Sequence, residues 1–566
     1  MSSLDWAVIG LYFLIIGIVA WWYGRNQKDT KDFFLAGRNA GWITIGASIF
    51  TSNIGSEHIV GLAGQGAATG MAMAHWELHA WVLIMLAGLF VPFYYKSGVE
   101  TIPEFLEKRF SARTRLILSG VSLVAYVFTK VSVTVYAGAI VFQALLPEVA
   151  IKVGGATLDA FWIGAFSTVV ITGVYTVFGG MRAIMATATP QAVIILLGSF
   201  IITYIGLDKL GGWGELVTMA KANADQFALW RPLSDPNFPW LGVLIASPII
   251  GIWYWCTDQY IVQRTLAAKD LATARRGALF GGLLKVWPVL IFLIPGMIGW
   301  ALHQKGIITL PPKMVGGVQV AAIDGDRVFP TLVTALLPSG IRGLIVACLL
   351  AALMSSLASL FNSSASLFTV DVYEKIRPGQ SPKHLLMVGR IATTVVVGLG
   401  IIWIPVMAKI SGGGLYQYLQ SVQGYLAPPI TAVFLLGLFW NRVNSAGATW
   451  GLAGGFILGM IKLTMQSMYG VGKRETPALF AAIGDFNFLY ATGVLMAASI
   501  IIMVVVSLMT PPPPREKING LTYSTIHVGQ TAAEIKNSWD FGNKLMAALI
   551  LLLVGGMYLY FSFWLK

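Results

Sequence analysis

An ionisable side chain at the centre of a bilayer costs about 2.5–3.5 kcal/mol on insertion scales, so each one inside an apolar run needs a purpose. Glu77 and Lys285 are two such residues, set in runs that are otherwise largely hydrophobic. Polar companions occur in similar runs: Ser48, Thr51, Ser52, Asn53, Ser56, Glu57 and His58 in one, and His75-Trp76-Glu77-Leu78-His79 in another. A third reads Gly251-Ile252-Trp253-Tyr254-Trp255-Cys256-Thr257-Asp258-Gln259, a fourth holds Ser355-Ser356 with Asn362-Ser363-Ser364, and a fifth holds Gln417 and Gln420. A carboxylate accepts hydrogen bonds, an ammonium donates them and an amide does both, which suits a ring of hydroxyls that are each donor and acceptor. Flat rings such as Trp76, Tyr254 and Tyr416 can stack on the C–H face of a sugar. Together these residue types offer the chemistry of a chamber for a neutral polyol.

A smaller, oxygen-lined site is legible beside it. The run from Gly46 to His58 has polar residues and glycines near its middle, as a helix does where it breaks and lines a cavity. Such a break frees backbone carbonyls, here those of Thr51 and Ile54, while Ser355 and Ser356 add hydroxyls. No carboxylate is in this set, so it suits Na⁺ better than Ca²⁺ or Mg²⁺. Each residue alone also fits a structural role. Ser, Thr and Gly line helix interfaces, Glu77 and Lys285 can pair with each other, and rings or a histidine can simply pack. Convergence at common depths is what favours the functional reading.

Those depths depend on the elements. A spanning helix needs about 20 predominantly apolar residues. Fourteen stretches qualify, at roughly 4–24, 41–65, 71–95, 114–147, 157–180, 186–206, 241–262, 277–302, 340–368, 387–408, 415–438, 443–467, 482–508 and 541–565. Loops after odd-numbered spans are rich in Lys and Arg, including Arg25, Lys28, Lys31, Arg38 and the cluster from Lys108 to Arg115. The positive-inside rule therefore puts those loops in the cytoplasm and both termini outside. In that frame His58, Glu77 and Gln420 lie in the outer half of the membrane and Lys285 near its middle. Thr51, Ile54, Ser355 and Ser356 share a level close to the midplane.

Composition agrees. The 566 residues are 56 % hydrophobic and only 11 % charged, with 62 glycines and a mean hydropathy of +0.74, which excludes an ordinary soluble enzyme. In so apolar a chain, the net charge of +13 reflects basic loops rather than nucleic-acid binding. Cys256 and Cys348 both lie in apolar runs, so no disulfide framework is expected. The first residues lack the basic n-region of a cleaved signal peptide. Pro511–Pro514 opens a polar segment to about Asp540, read as a cytoplasmic loop in which Thr531–Glu534 forms a short helix. His75, Glu77 and His79 alternate and so miss the zinc-protease spacing, and no phosphate-cradling Gly-Lys-Ser/Thr loop is present. Nothing here constitutes a catalytic centre.

Ser52-Asn53-Ile54-Gly55-Ser56 with His58, Trp255-Cys256-Thr257-Asp258-Gln259 with Gln263-Arg264, Met354-Ser355-Ser356-Leu357, and Pro428-Pro429 before Ala432–Leu436 resemble the sodium:solute symporter family, most closely its sodium/glucose cotransporter branch. The resemblance runs from about Asp32 to beyond Trp440. It implies an all-α integral membrane protein of fourteen transmembrane helices with a LeuT-like core of five plus five helices. Residues 1–40 would form an extra N-terminal helix and first cytoplasmic loop, 41–206 one inverted repeat, 207–240 an extracellular loop and 241–440 the second repeat. Residues 441–566 would add three helices and the cytoplasmic loop near 511–540. The helices opening the repeats would break around Asn53 and around Gly251.

Carried over position by position, the resemblance puts sugar contacts at Asn53, His58, Glu77, Tyr254, Trp255, Lys285 and Gln420. It puts an inner gate at Tyr254 and an outer gate at Leu62, Trp76 and Tyr416. The Na⁺ site falls on the carbonyls of Thr51, Ile54 and Ala352 with the hydroxyls of Ser355 and Ser356. Ala188 stands where the family usually has Asp, and Ala358 where a hydroxyl would help a second ion site, so one Na⁺ per sugar is expected. Gly251 lacks the polar side chain some members present there. The expectation is Na⁺-coupled symport of glucose or galactose, with an inositol or a non-accumulating sensor as alternatives. The expected home is a plasma membrane, specifically a bacterial inner membrane.

Overall fold

The computed structural model describes residues 1–25, 27–153, 156–315, 318–410, 415–469, 477–526 and 529–566. Side chains at 128–129, 153, 156, 314–315, 318, 320–321, 403–410, 415–418 and 529–530 also fall outside the described set. Helices dominate, since in hydrocarbon an isolated segment satisfies its backbone polar groups only as a helix. Two short antiparallel hairpins, Ala150–Val153 with Ala156–Asp159 and Pro312–Val315 with Val318–Ile323, lie in connections.

By length and apolar composition, 11 helices among the described residues can cross a membrane. That criterion does not reach the fourteen expected, for two physical reasons. Ala160–Leu210 is one element of 51 residues, about 76 Å at 1.5 Å per residue and more than twice the hydrocarbon thickness. Gly180, at φ 54 and ψ −159, breaks its helical path. Elsewhere interruptions leave pieces too short to count, as in Trp42–Asn53, Ala112–Ala125 and Ser132–Leu145.

Burial orders the helices from centre to rim. In the stretch Ile341–Ile376, 94 % of the most apolar window is buried inside the protein, against 22 % in Phe541–Phe563. The first therefore forms the heart of the molecule and the second faces lipid. Ile341–Ser366 packs against Ser3–Gly24, Ala160–Leu210 and Trp42–Asn53.

The break expected near Asn53 is present. Trp42–Asn53 stops, Ile54 and Gly55 are non-helical, and Ser56–Thr69 begins. Gly55 is extended, and its carbonyl accepts the N–H groups of His58 at 3.0 Å and Ile59 at 3.3 Å. The second break falls later than expected. Gly251 is helical, because Trp240–Ile252 continues into a π-helical turn, Trp253–Thr257, and the chain extends only at Asp258 before Gln259–Leu266. What Gly251 provides is space, since a Cβ there would meet the His79 ring at 3.1 Å.

The segment after Pro514 folds back on the helix ends. Its helix Gly529–Asn537 covers the expected Thr531–Glu534, Arg275 donates to the Ile535 carbonyl (2.6 Å) and Ser538 Oγ (2.8 Å), and Lys517 to the Glu107 carbonyl (2.8 Å).

Ser56–Thr69 and Ile294–Gln304 meet backbone to backbone. A Cβ on Gly296 would lie 1.8 Å from the Ala63 carbonyl oxygen, and one on Gly66 would lie 2.1 Å from that of Leu293. Gly296→Val should therefore destabilise the protein by about 1–3 kcal/mol, the usual scale of overpacking. Gly10→Val, where a Cβ meets nothing within 4 Å, should leave the thermal midpoint unchanged. Thermal unfolding of both variants in detergent checks the contrast.

Candidate functional site

The two breaks and the helices around them enclose one cavity with an empty volume of about 570 Å³. Asn53, His58, Glu77, Tyr254, Trp255, Lys285 and Gln420, scattered over five stretches of sequence, all line it. Lys285 Nζ lies 2.5 Å from Glu77 Oε2, with the side chains 2 % and 1 % exposed, and 5.6 Å from the Trp255 ring centroid. The ion pair allowed for in the sequence thus forms, and it forms on the cavity wall. Asn53 Nδ2 donates to Tyr254 Oη at 3.1 Å and lies 3.4 Å from His58 Nε2.

Buried groups on that wall without a hydrogen-bond partner among the described residues include two amide acceptors, Asn53 Oδ1 and Gln420 Oε1, the donor Trp76 Nε1 and the carboxylate oxygen Glu57 Oε2. An unmet buried polar group costs about 1–3 kcal/mol. Two acceptors and a donor between aromatic faces are the complement of a polyhydroxylated ring. The His79 ring fills the space left free at position 251. It lines the cavity, sits against Gly251 and has Nε2 2.6 Å from Ser247 Oγ.

Of the gate residues, Trp76 and Tyr254 line the cavity, with Trp76 edge-on to Phe238 at 6.1 Å. Leu62 is fully buried in the core and is not on this wall. The side chain of Tyr416 lies outside the described residues, as does that of Gln417.

The cation set lies on two packed helices. Ala352, Ser355 and Ser356 share one face of Ile341–Ser366 by their i, i+3 and i+4 spacing. Opposite is the end of Trp42–Asn53, where the Ile54 N–H closes on Phe50 (3.0 Å) and the Gly55 N–H on Asn53 (3.2 Å), so neither reaches the Thr51 carbonyl. Ser52 Oγ and Ser359 Oγ, 2.8 Å apart, tie the helices together. Ser355 Oγ has no partner among the described residues, while Ser356 Oγ lies 3.1 Å from Tyr260 Oη. The donor set fits a small monovalent cation: carbonyls freed by a helix end, beside hydroxyls.

The chemistry-bearing residues on this wall that the sequence analysis did not name are Lys130, Tyr260 and Gln423, while Glu57 was named without a role. Lys130 was detectable, because it sits mid-run in an apolar stretch and obeys the rule that picked out Lys285. Its partner Asp258, 2.5 Å away, lay within a quoted motif but was given no role. His75, by contrast, is a packed structural histidine, held by the Leu229 carbonyl at 3.1 Å and Tyr558 Oη at 3.2 Å.

Comparison with known proteins agrees with this architecture. Residues 33–455 match the family model described as the sodium:solute symporter family. The zebrafish (Danio rerio) sodium/glucose cotransporter 4 is 38 % identical over 563 residues, covering 95 % of this chain and 84 % of its own. Sheep (Ovis aries) sodium/glucose cotransporter 1 is 39 % identical over 88 % and 77 %, and human sodium/myo-inositol cotransporter 2 is 39 % identical over 92 % and 79 %. A solved Na⁺-coupled sialic acid symporter in a substrate-bound outward-open state aligns with a TM-score of 0.73 at 21 % identity, covering 90 % of this chain and 99 % of that one. The chain belongs to the sodium:solute symporter family. It is a multi-pass membrane symporter with a LeuT-like helical fold, Na⁺ is its co-transported ion, and it is not an enzyme.

Replacing Glu77 by Gln leaves the Lys285 charge buried without its carboxylate, a change that typically costs about 3–5 kcal/mol. Glu77→Gln should therefore lower the thermal midpoint sharply, and Glu77→Gln/Lys285→Met should recover most of the loss. Melting curves of the three proteins check this.

Proposed function

We propose that the protein couples inward Na⁺ movement to uptake of a neutral hexose of the glucose or galactose type by alternating access, with one Na⁺ per sugar. Support comes chiefly from the unmet acceptors Asn53 Oδ1 and Gln420 Oε1 and the unmet donor Trp76 Nε1 around the Glu77–Lys285 pair. An acidic solute fits poorly, because both lysines on the wall, Lys130 and Lys285, are already paired with carboxylates. In this reading sugar contacts Asn53, His58, Glu77, Tyr254, Trp255, Lys285 and Gln420. Na⁺ binds the carbonyls of Thr51, Ile54 and Ala352 with Ser355 and Ser356. Leu62, Trp76 and Tyr416 close the outer side and Tyr254 the inner one, with 41–206 and 241–440 as the inverted repeats.

The 1:1 ratio rests on Ala188 and Ala358, both fully buried and without an oxygen to offer a second ion. One charge crossing 100 mV releases about 2.3 kcal/mol, and a tenfold Na⁺ gradient adds about 1.4. That supports accumulation of about 400-fold. A cyclic polyol such as myo-inositol is the second reading, favoured by relatives named sodium/myo-inositol cotransporters at 38–39 % identity. The expected membrane is a plasma membrane. The animal relatives above give the bacterial inner-membrane expectation no support.

In proteoliposomes, labelled glucose should accumulate above equilibrium with an inward Na⁺ gradient and not with K⁺. Uptake of myo-inositol but not hexose would replace the sugar and keep the ion. Glu77→Ala and Gln420→Ala should each raise the half-saturating sugar concentration about tenfold or more, the loss of one charge-assisted or buried hydrogen bond. Ser356→Ala should instead raise the half-saturating Na⁺ concentration. A measured Na⁺-to-sugar ratio near two would overturn the stoichiometry.

A further inference from the structure

One ion pair at the cavity has no part in binding as described above. Lys130 Nζ lies 2.5 Å from Asp258 Oδ2, with the side chains 8 % and 2 % exposed. Both partners stand at interruptions of their helices. Lys130 belongs to the π-helical turn Tyr126–Val131, while Asp258 follows the π-helical turn Trp253–Thr257 and caps Gln259–Leu266 by accepting the Tyr260 N–H at 3.2 Å. Such turns are rare and recur at functional sites. The Tyr126 hydroxyl donates to the other carboxylate oxygen of Asp258. The ammonium itself stands 4.8–5.1 Å from the ring centroids of Tyr126, Trp253, Tyr254 and Tyr260, within cation–π range of all four.

Two of these rings lead to the two binding sites. Tyr254 receives the Asn53 amide on the solute side. Tyr260 donates to the Ser52 carbonyl and lies 3.1 Å from Ser356 Oγ on the cation side. The lysine is therefore the shared support of a ring that touches the solute cavity and a ring that touches the cation set.

We propose that the Lys130–Asp258 pair is a coupling latch, with Lys130 a positioning residue that holds Tyr254 and Tyr260 as one unit so that the cation and solute sites can release only together. The inference rests on the cation and sugar assignments under Proposed function. A merely structural ion pair makes a different prediction, because neutralising both partners of such a pair is often harmless. A latch made neutral on both sides leaves a folded protein whose two fluxes are no longer tied.

The test is Na⁺ flux and glucose flux in proteoliposomes of the full chain, for the parent, Lys130→Gln/Asp258→Asn and Lys130→Arg. The expected result for the double variant is a half-saturating sugar concentration within threefold of the parent. Its Na⁺ entry without sugar should rise tenfold or more, and its sugar accumulation should fall by a similar factor. Lys130→Arg, which keeps the charge and the pair, should hold the parental flux ratio, and it carries the test if the double variant fails to fold. A double variant with the parental ratio and accumulation overturns the latch. So does one that loses sugar binding outright, since Lys130 would then be a direct sugar contact, and so does a Lys130→Arg protein that leaks Na⁺ like an empty pore. If the parent itself accumulates no glucose, the proposed function fails, while the sugar-free Na⁺ leak still separates latched from unlatched protein.

Discussion

Hydrocarbon offers a broken helix no water, so every backbone group freed at a break must find a partner inside the protein. The interruption at Ile54 and Gly55 is the place where this constraint is most severe, and much of the molecule is arranged around meeting it. The Gly55 carbonyl is met by His58 and Ile59, the Ser52 carbonyl by the Tyr260 hydroxyl, Ser52 Oγ by Ser359, and Ser56 Oγ by the Thr134 carbonyl at 2.8 Å. These partners come from separate helices, which is why the central Ile341–Ser366 must be buried along nearly its whole length. The Thr51 carbonyl and the Ser355 hydroxyl are left over beside each other's helices. Oxygen atoms left without a partner at a break are what the proposed cation site draws on.

The same logic operates on the solute side in a different currency. Glu77 with Lys285, and Lys130 with Asp258, bring charge into the membrane in pairs, each at 2.5 Å. Pairing limits the desolvation cost and leaves the lysines with no free charge to offer an acid. What the two lysines on the wall do not lack is a counter-ion, so the unmet amide oxygens of Asn53 and Gln420 and the Trp76 N–H are what the proposed neutral solute would satisfy. The aromatic rings serve both ends, since Tyr254 and Trp255 offer faces to a solute and the same Tyr254 stands over Lys130. The proposed binding and coupling roles thus fall on shared side chains.

Glycine decides how closely these helices can approach. The contact of Ser56–Thr69 with Ile294–Gln304 runs through Gly66 and Gly296, where any Cβ would meet a carbonyl oxygen. Gly251 makes a different concession, yielding room to His79 at the cavity edge. The space that a side chain at position 251 would need is therefore taken by the His79 ring, from the turn before Ala80–Met85.

From the sequence alone, the membrane environment and the polar interruptions in apolar runs were legible, because inserting such groups into lipid is costly enough to demand a reason, whereas the full set of seven cavity residues came from the family resemblance. The break near Asn53 was legible too, since its polar and glycine residues are contiguous in the chain. The second break was misplaced toward Gly251, because a π-turn leaves no compositional mark and its end at Asp258 depends on partners from another helix. The division into spans 157–180 and 186–206 agrees with the non-helical Gly180 that separates two helices within Ala160–Leu210. Lys130 was visible as a charge in an apolar stretch, yet its meaning waited on Asp258, 128 positions away in the chain. Local chemistry is written residue by residue and could be read that way, whereas which charge meets which, and which hydrogen-bonding groups remain unmet, is decided only when helices distant in sequence pack against one another.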